Sequence, residues 1–180
     1  MASLSYIIEL LEGSRDAYCR EPLSQAEHAL QAAHLAREAS APAVLVTAAL
    51  LHDVGHLIHP DPSTVINLID RRHEHVGADW LTGLFGPEIT EPIRLHVAAK
   101  RYLCRLDQFY RGGLSPASIR SLELQGGPLN WAEVHEFEKN PYYRMAVQLR
   151  RWDDQAKVPG ATVPAVESYR EILRSCIKPE

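Results

Sequence analysis

Apolar residues along the chain recur at helical spacing rather than in the alternation of strands, and the signals that start and stop each run can be named. Leu4, Ile7, Ile8, Leu10 and Leu11 form a stripe that predicts a helix over Met1 to Cys19. Ser24, with Glu27 three residues on, is a capping box that opens a helix to about Ala39. Ser40 is the expected cap of the next helix, with Pro42 in its first turn, and the apolar run carries it through His56. Breakers follow at His59-Pro60-Asp61-Pro62-Ser63. Helices are expected over Arg72 to Leu84, ended by Gly86-Pro87, and over Thr90 to Leu103. Arg111-Gly112-Gly113 reads as a loop. Ser115-Pro116 starts a short helix that Gly126-Gly127-Pro128 stops, and Asn130 caps another ending at Asn140-Pro141. Tyr142 to Lys157 is amphipathic, and beyond Pro159-Gly160 a last helix covers Val163 to Ile177. The expected fold is all-α, a helical bundle forming a single domain over 1–180, without repeat or linker.

Composition leaves that picture in place and narrows the function. With 46% hydrophobic and 23% charged residues the chain can bury a sizeable core. A net charge of -4 gives no general attraction to nucleic acid or to an anionic membrane, although a local pocket can still take a small anion. The longest apolar run, Ala41 to Leu51, contains Pro42 and Thr47 and ends in His52-Asp53, too short and too interrupted to span a bilayer. The N-terminus lacks the basic and apolar pattern of a leader, so a cytoplasmic protein is expected. Cys19, Cys104 and Cys176 are far apart, which indicates neither a disulfide framework nor a thiolate metal site. Apolar stripes on the terminal helices could pack internally or make a homodimer.

Histidine is the unusual residue: there are nine, several beside carboxylates. The sharpest signal is Leu50-Leu51-His52-Asp53-Val54-Gly55-His56, a His-Asp pair at the end of an apolar helix. Burying an imidazole and a carboxylate is costly unless each has a partner, and a metal cation supplies one to both. An isolated pair would more often be a satisfied core contact. Here His28, His73, His96 and Asp153 fall on four other expected helices, and such convergence in a bundle is how carboxylate-bridged dinuclear centres are built. Residue type alone leaves His75 open beside His73, and Asp154 beside Asp153.

This order of residues resembles the HD-domain superfamily over about Tyr18 to Lys157. The resemblance implies an all-helical HD-domain bundle with one metal on His28, His52, Asp53 and Asp153 and a second on His73 and His96, Asp53 bridging the two. His73-Glu74-His75-Val76-Gly77 looks like the family's His-Glu-x-x-Gly segment, which selects His73, and Lys157, four residues after Asp153, selects that aspartate. Most members are phosphohydrolases. A smaller branch, similar to the diiron organophosphonate oxygenases and more distantly to myo-inositol oxygenase, uses two irons, Fe(II)/Fe(III), with O2 as cosubstrate.

Several positions match that branch. Tyr18-Cys19-Arg20-Glu21 resembles a Tyr-x-x-Glu element in which the tyrosine is an iron ligand displaced by substrate and the glutamate meets a substrate amine. Lys100, Arg150, Ser118 and Ser121 match positions that grip a phosphonate, the last replacing a threonine, and His56 matches a substrate-contacting histidine. Read singly, Lys100 would be a solvated helix residue and Arg150 part of a surface ion pair. The implied activity is oxidative cleavage of the C–P bond of a 1-hydroxy-2-aminoethylphosphonate-type small molecule, giving phosphate and a carboxylic acid such as glycine. The runner-up is a metal-dependent phosphohydrolase acting on a nucleotide or small phosphate ester, and third comes a metal- or nucleotide-binding regulatory module. The substituent on the substrate carbon is left open. His34, His59 and His135 have no matching role, and Trp80, Trp131 and Trp152 are read as packing.

Overall fold

The computed structural model describes residues 2–14, 23–58 and 72–179. The described residues are all-α, as the periodicity predicts. Helix α1, Leu4–Gly13, is capped by Ser3, whose side chain accepts from the Tyr6 N–H. It ends at Gly13 rather than running to Cys19: the Ser14 N–H turns back to the Leu11 carbonyl and its hydroxyl donates to Leu10. Residues beyond Ser14 in that expected helix fall outside the described ones.

Helix α2, Gln25–Glu38, opens with the predicted capping box of Ser24 and Glu27. Ser40 does not cap the following helix. It closes α2 instead, in the left-handed region at φ 55, with its N–H on Arg37 O and the Ala41 N–H on Ala36 O, the two bonds of a Schellman ending. Pro42 is the N-cap of α3, Ala43–Leu51. Every residue of α3 from Leu45 to Leu51 is buried, so this helix is the axis of the core, and each large side chain it buries contributes about 2 kcal/mol. The expected continuation to His56 breaks at His52-Asp53 and resumes only as a 3-10 turn, Val54–His56.

Helix α4, His73–Leu81, is entered through Arg72 at φ 53. Gly86-Pro87 both stops that region and starts the next, because Pro87 takes the first helical position, where its missing N–H costs nothing. Helix α5 therefore runs Pro87–Leu106, longer at both ends than Thr90 to Leu103. The expected loop at Arg111-Gly112-Gly113 is partly helical: Asp107 accepts from the Phe109 and Tyr110 N–H groups and opens α6, Gln108–Gly112. Helices α7, Pro116–Leu124, and α8, Trp131–Lys139, start at the predicted caps Ser115 and Asn130. Helix α9 is Tyr143–Gln155, and the last segment is a 3-10 turn, Val166–Tyr169, leading into α10, Arg170–Ser175.

The main core joins α1 to α5, α9 and the C-terminal segment, which is stitched down by a bridge between Phe85 and Ile177 and by the Lys178 N–H on Leu84 O. Trp152 packs into it and Trp80 lies against it, edge-on to Tyr6. Trp131, read as packing, is 63% exposed with Arg105 over its ring. No described helix is long and apolar enough to cross a membrane.

Candidate metal centre

The break in α3 makes the centre. In a continuous helix consecutive side chains diverge by roughly 100°, so neighbouring His52 and Asp53 could not share a target. Asp53 leaves helical geometry at φ -103 and ψ 11, and its carboxylate turns back toward His52. Gly55 then lets the chain pass directly over the start of α4: a Cβ there would sit 2.0 Å from the His73 carbonyl oxygen, and one on Gly77 would sit 3.0 Å from Gly55 N. The two glycines lie back to back and fix His73 against Asp53.

The imidazoles are aimed by their far nitrogens. Nδ1 of His28 donates to Ala156 O at 2.8 Å, that of His52 to Ala49 O at 2.9 Å, and that of His96 to Ile93 O at 2.8 Å. A carbonyl can only accept, so in each neutral ring Nε2 carries a lone pair. His28 Nε2 and His52 Nε2 are nevertheless 3.1 Å apart, and His73 Nε2 lies 3.2 Å from His96 Nε2. Between His28 and His52 the lone pairs face each other and repel, and a cation between them removes the conflict. Two donors about 2.1 Å from one ion at a right angle stand about 3.0 Å apart, close to both separations.

Asp53 divides the cluster in two. Its Oδ2 is 3.7 Å from His28 Nε2 and 3.5 Å from His52 Nε2, whereas Oδ1 is 3.3 Å from His73 Nε2 and 3.5 Å from His96 Nε2. Asp153 faces the first group only, with Oδ1 3.3 Å from His28 Nε2 and 3.9 Å from His52 Nε2. The donor set is nitrogen and oxygen without thiolate and fits two cations bridged by one carboxylate. His56 is exposed and stacks on His73 at 4.1 Å, and with Asp53 and His73 it forms a group whose ligand atoms lie within metal-binding reach of one another.

The electrostatics suit cations. Burial holds His52 and His96 below the ordinary imidazole value of 6.5, at His96 with help from His73. Burial acts to raise both aspartates, but His52 and His73 hold Asp53 well below 3.8, and Arg150 and Lys157 do the same for Asp153.

A cationic wall adjoins the centre. Lys100, one turn beyond His96, is only 2% exposed and donates to Ser121 Oγ at 2.7 Å. Ser121 donates to Ser118 O, and Ser118 Oγ accepts from Lys157 Nζ at 2.8 Å. Arg150, 5% exposed, reaches Asp153 Oδ2 at 2.6 Å and grips Asp154 along its other edge. Lys100 and Arg150 are therefore neither solvated nor at the surface. His75 turns away toward Glu74 and Arg94, and Asp154 faces Arg150 and Tyr110 rather than the imidazoles. Tyr18 and Glu21 lie outside the described residues.

Three contributors escaped the sequence reading. Lys157 served there only as a ruler for Asp153, although its i+4 spacing already placed it one turn beyond. Gln31 exchanges two hydrogen bonds with the Val158 backbone, pinning the segment that carries Lys157 and the Ala156 carbonyl to α2. Tyr110, which belongs to no motif in the sequence, is a partner of Asp154.

The HD-domain family model matches residues 26–120. Over 174 residues the chain is 48% identical to hydroxymethylphosphonate dioxygenase of Gimesia maris, covering 96% of this chain and 87% of that protein. It is 42% identical over 157 residues to the glycine-betaine-forming [1-hydroxy-2-(trimethylamino)ethyl]phosphonate dioxygenase of Leisingera caerulea, covering 84% and 80%. An uncharacterized protein of Acanthamoeba polyphaga mimivirus is 35% identical over 176 residues, covering 95% and 80%.

Proposed function

The chain belongs to the HD-domain family, and from that premise we propose that it is a phosphonate dioxygenase whose centre holds two iron ions, Fe(II)/Fe(III) in the active state. The observation that carries this reading is the carboxylate of Asp53, each oxygen facing its own pair of imidazoles, beside a wall of buried cations. His28, His52, Asp53 and Asp153 hold the first ion; His73, His96 and Asp53 hold the second.

The reaction is R–CH(OH)–PO3(2−) + O2 → R–COO− + HPO4(2−) + H+, in which the carbon is oxidised and the C–P bond breaks. The ions supply the redox chemistry and the activation of O2. The protein binds and orients. Lys100, Arg150, Ser118 and Ser121 receive the phosphonate oxygens, and Lys157 adds to the positive field beside Asp153. His56, at the exposed edge of the centre, contacts the substrate. Tyr18 and Glu21 are assigned by resemblance to gating the site and to meeting a substrate amine. With the substrate fixed at its phosphonate end, the carbon beside phosphorus is held at the centre and water is displaced from it.

The test is phosphate release by iron-loaded protein from 2-amino-1-hydroxyethylphosphonate, hydroxymethylphosphonate and the trimethylammonium analogue, with and without O2, alongside a phosphate ester. Release that needs O2, with glycine, formate or glycine betaine as co-product, is the expected result, and the preferred compound identifies R. Ester hydrolysis without O2 and no release from any phosphonate would replace this reading with a phosphohydrolase.

A further inference from the structure

Asp153 uses its two oxygens differently. Oδ1 faces His28 and the first ion position, while Oδ2 accepts from Arg150 Nη1 at 2.6 Å. A guanidinium beside a carboxylate ordinarily takes it with two parallel N–H bonds, and here that would draw Oδ1 away as well. It does not, because the remaining edge of Arg150 is occupied. Nε donates to Asp154 Oδ2 at 3.0 Å, Nη2 donates to Asp154 Oδ1, and Tyr110 O–H donates to Asp154 Oδ2 while its oxygen lies 3.3 Å from Arg150 Nε. Arg150, Asp153 and Asp154 are at i, i+3 and i+4 of α9, so the helix itself presents both carboxylates to the one cation.

We propose that Asp154, held in place by Tyr110, is a positioning residue that divides the Arg150 guanidinium so that Asp153 keeps one oxygen for a metal ion. Two carboxylates compete for one cation, and the outer one wins the bidentate edge. Without Asp154 the guanidinium rotates to take both oxygens of Asp153, and the first ion loses a ligand. The consequence applies only if the centre holds ions as proposed above. Asp154 touches neither substrate nor ion in this role, and its effect is exerted wholly through Arg150.

The experiment compares wild type, Asp154→Asn, the double variant Asp154→Asn/Arg150→Gln, and Tyr110→Phe, each loaded with Fe(II) without O2. Ions per chain after dialysis, the rate of Fe(II) loss to a chelator and the thermal midpoint are measured. Asp154→Asn is expected to bind the first ion about 10- to 100-fold more weakly, the range for loss of a group that orients a metal ligand. The double variant, having no guanidinium to collapse onto Asp153, should recover most of that loss. Tyr110→Phe removes one hydrogen bond and should weaken retention less, in the same direction. Equal retention by wild type and Asp154→Asn overturns the proposal, as does a double variant no better than Asp154→Asn, which would make Asp154 merely structural. A wild-type chain that retains no ion removes the centre and this clamp together, whereas two ions in both wild type and Asp154→Asn remove the clamp alone.

Discussion

Replacing Gly55 with alanine tests how the two halves of the centre are set against each other. The added Cβ would meet the His73 carbonyl oxygen at 2.0 Å, where ordinary contact begins at 3.4 Å. Backbone meets backbone here, so no side chain can swing aside, and the 3-10 turn has to part from α4 by 1.4 Å, the difference between those distances. His73 Nε2 and Asp53 Oδ1 are 3.3 Å apart, and the parting takes them to about 4.7 Å. Donors on opposite sides of one ion at about 2.1 Å span only about 4.2 Å, so both cannot hold it. Overpacking of this kind costs about 1 to 3 kcal/mol of stability. Displacement of an ångström at a reacting centre costs about 100-fold in turnover. Gly55→Ala should therefore fold with a lowered thermal midpoint, retain one ion rather than two by elemental analysis, and lose about two orders of magnitude in kcat. Gly77→Ala, whose Cβ would meet Gly55 N at 3.0 Å and Val54 Cγ1 at 3.2 Å, should lose less. A Gly55→Ala protein with both ions and near wild-type kcat would show that the glycine contact does not set the geometry of the centre.

Chelator-stripped protein should lose stability on acidification in two windows. His52 and His96 resist protonation when folded, so below about pH 6.5 the unfolded chain binds more protons and stability falls with pH; Asp53 and Asp153, depressed when folded, add a second loss below about pH 3.8. Denaturant melts at several pH values check this, and a flat profile between pH 7 and 5 would contradict the first window. Ser40→Gly should stabilise the protein by about 1 kcal/mol, because Ser40 sits at φ 55 where a Cβ is penalised, and calorimetry should show a midpoint higher by about 2 to 4 °C. Lys100→Met keeps the volume of a buried side chain and removes its charge, so it should raise KM for a phosphonate at least tenfold with ion content intact; an unchanged KM would remove Lys100 from the anion site.

Most of the helices were legible because their ends are marked by local chemistry that acts whatever the tertiary context: the capping boxes at Ser24 and Asn130, and Ser115-Pro116 before α7. The misread places are those where tertiary structure decides. Ser40 has the chemistry of a cap, but two backbone bonds to α2 claim it first. The apolar run into His52 continues a helical pattern, yet the helix stops there because His52 and Asp53 must face one point, a requirement no propensity records. Spacing singled out the histidines and aspartates that the structure brings together. It could not show which oxygen of Asp53 faces which imidazoles, nor that Arg150 would be shared between two neighbouring carboxylates, since both depend on rotamers set by α2, α5 and α6.

The order in which the donors occur along the chain bears on how the protein matures. Asp53, His73 and His96 are made close together, whereas His28 and Asp153 belong to α2 and α9 and meet only once α9 has been made. An ion joining them, as proposed above, would close that long stretch into a loop and so act as a late cross-link between α2 and α9 that favours the folded chain. A fragment lacking α9 has the three middle donors but lacks Asp153. The first position of the proposed centre would therefore be complete only after α9 has joined the bundle.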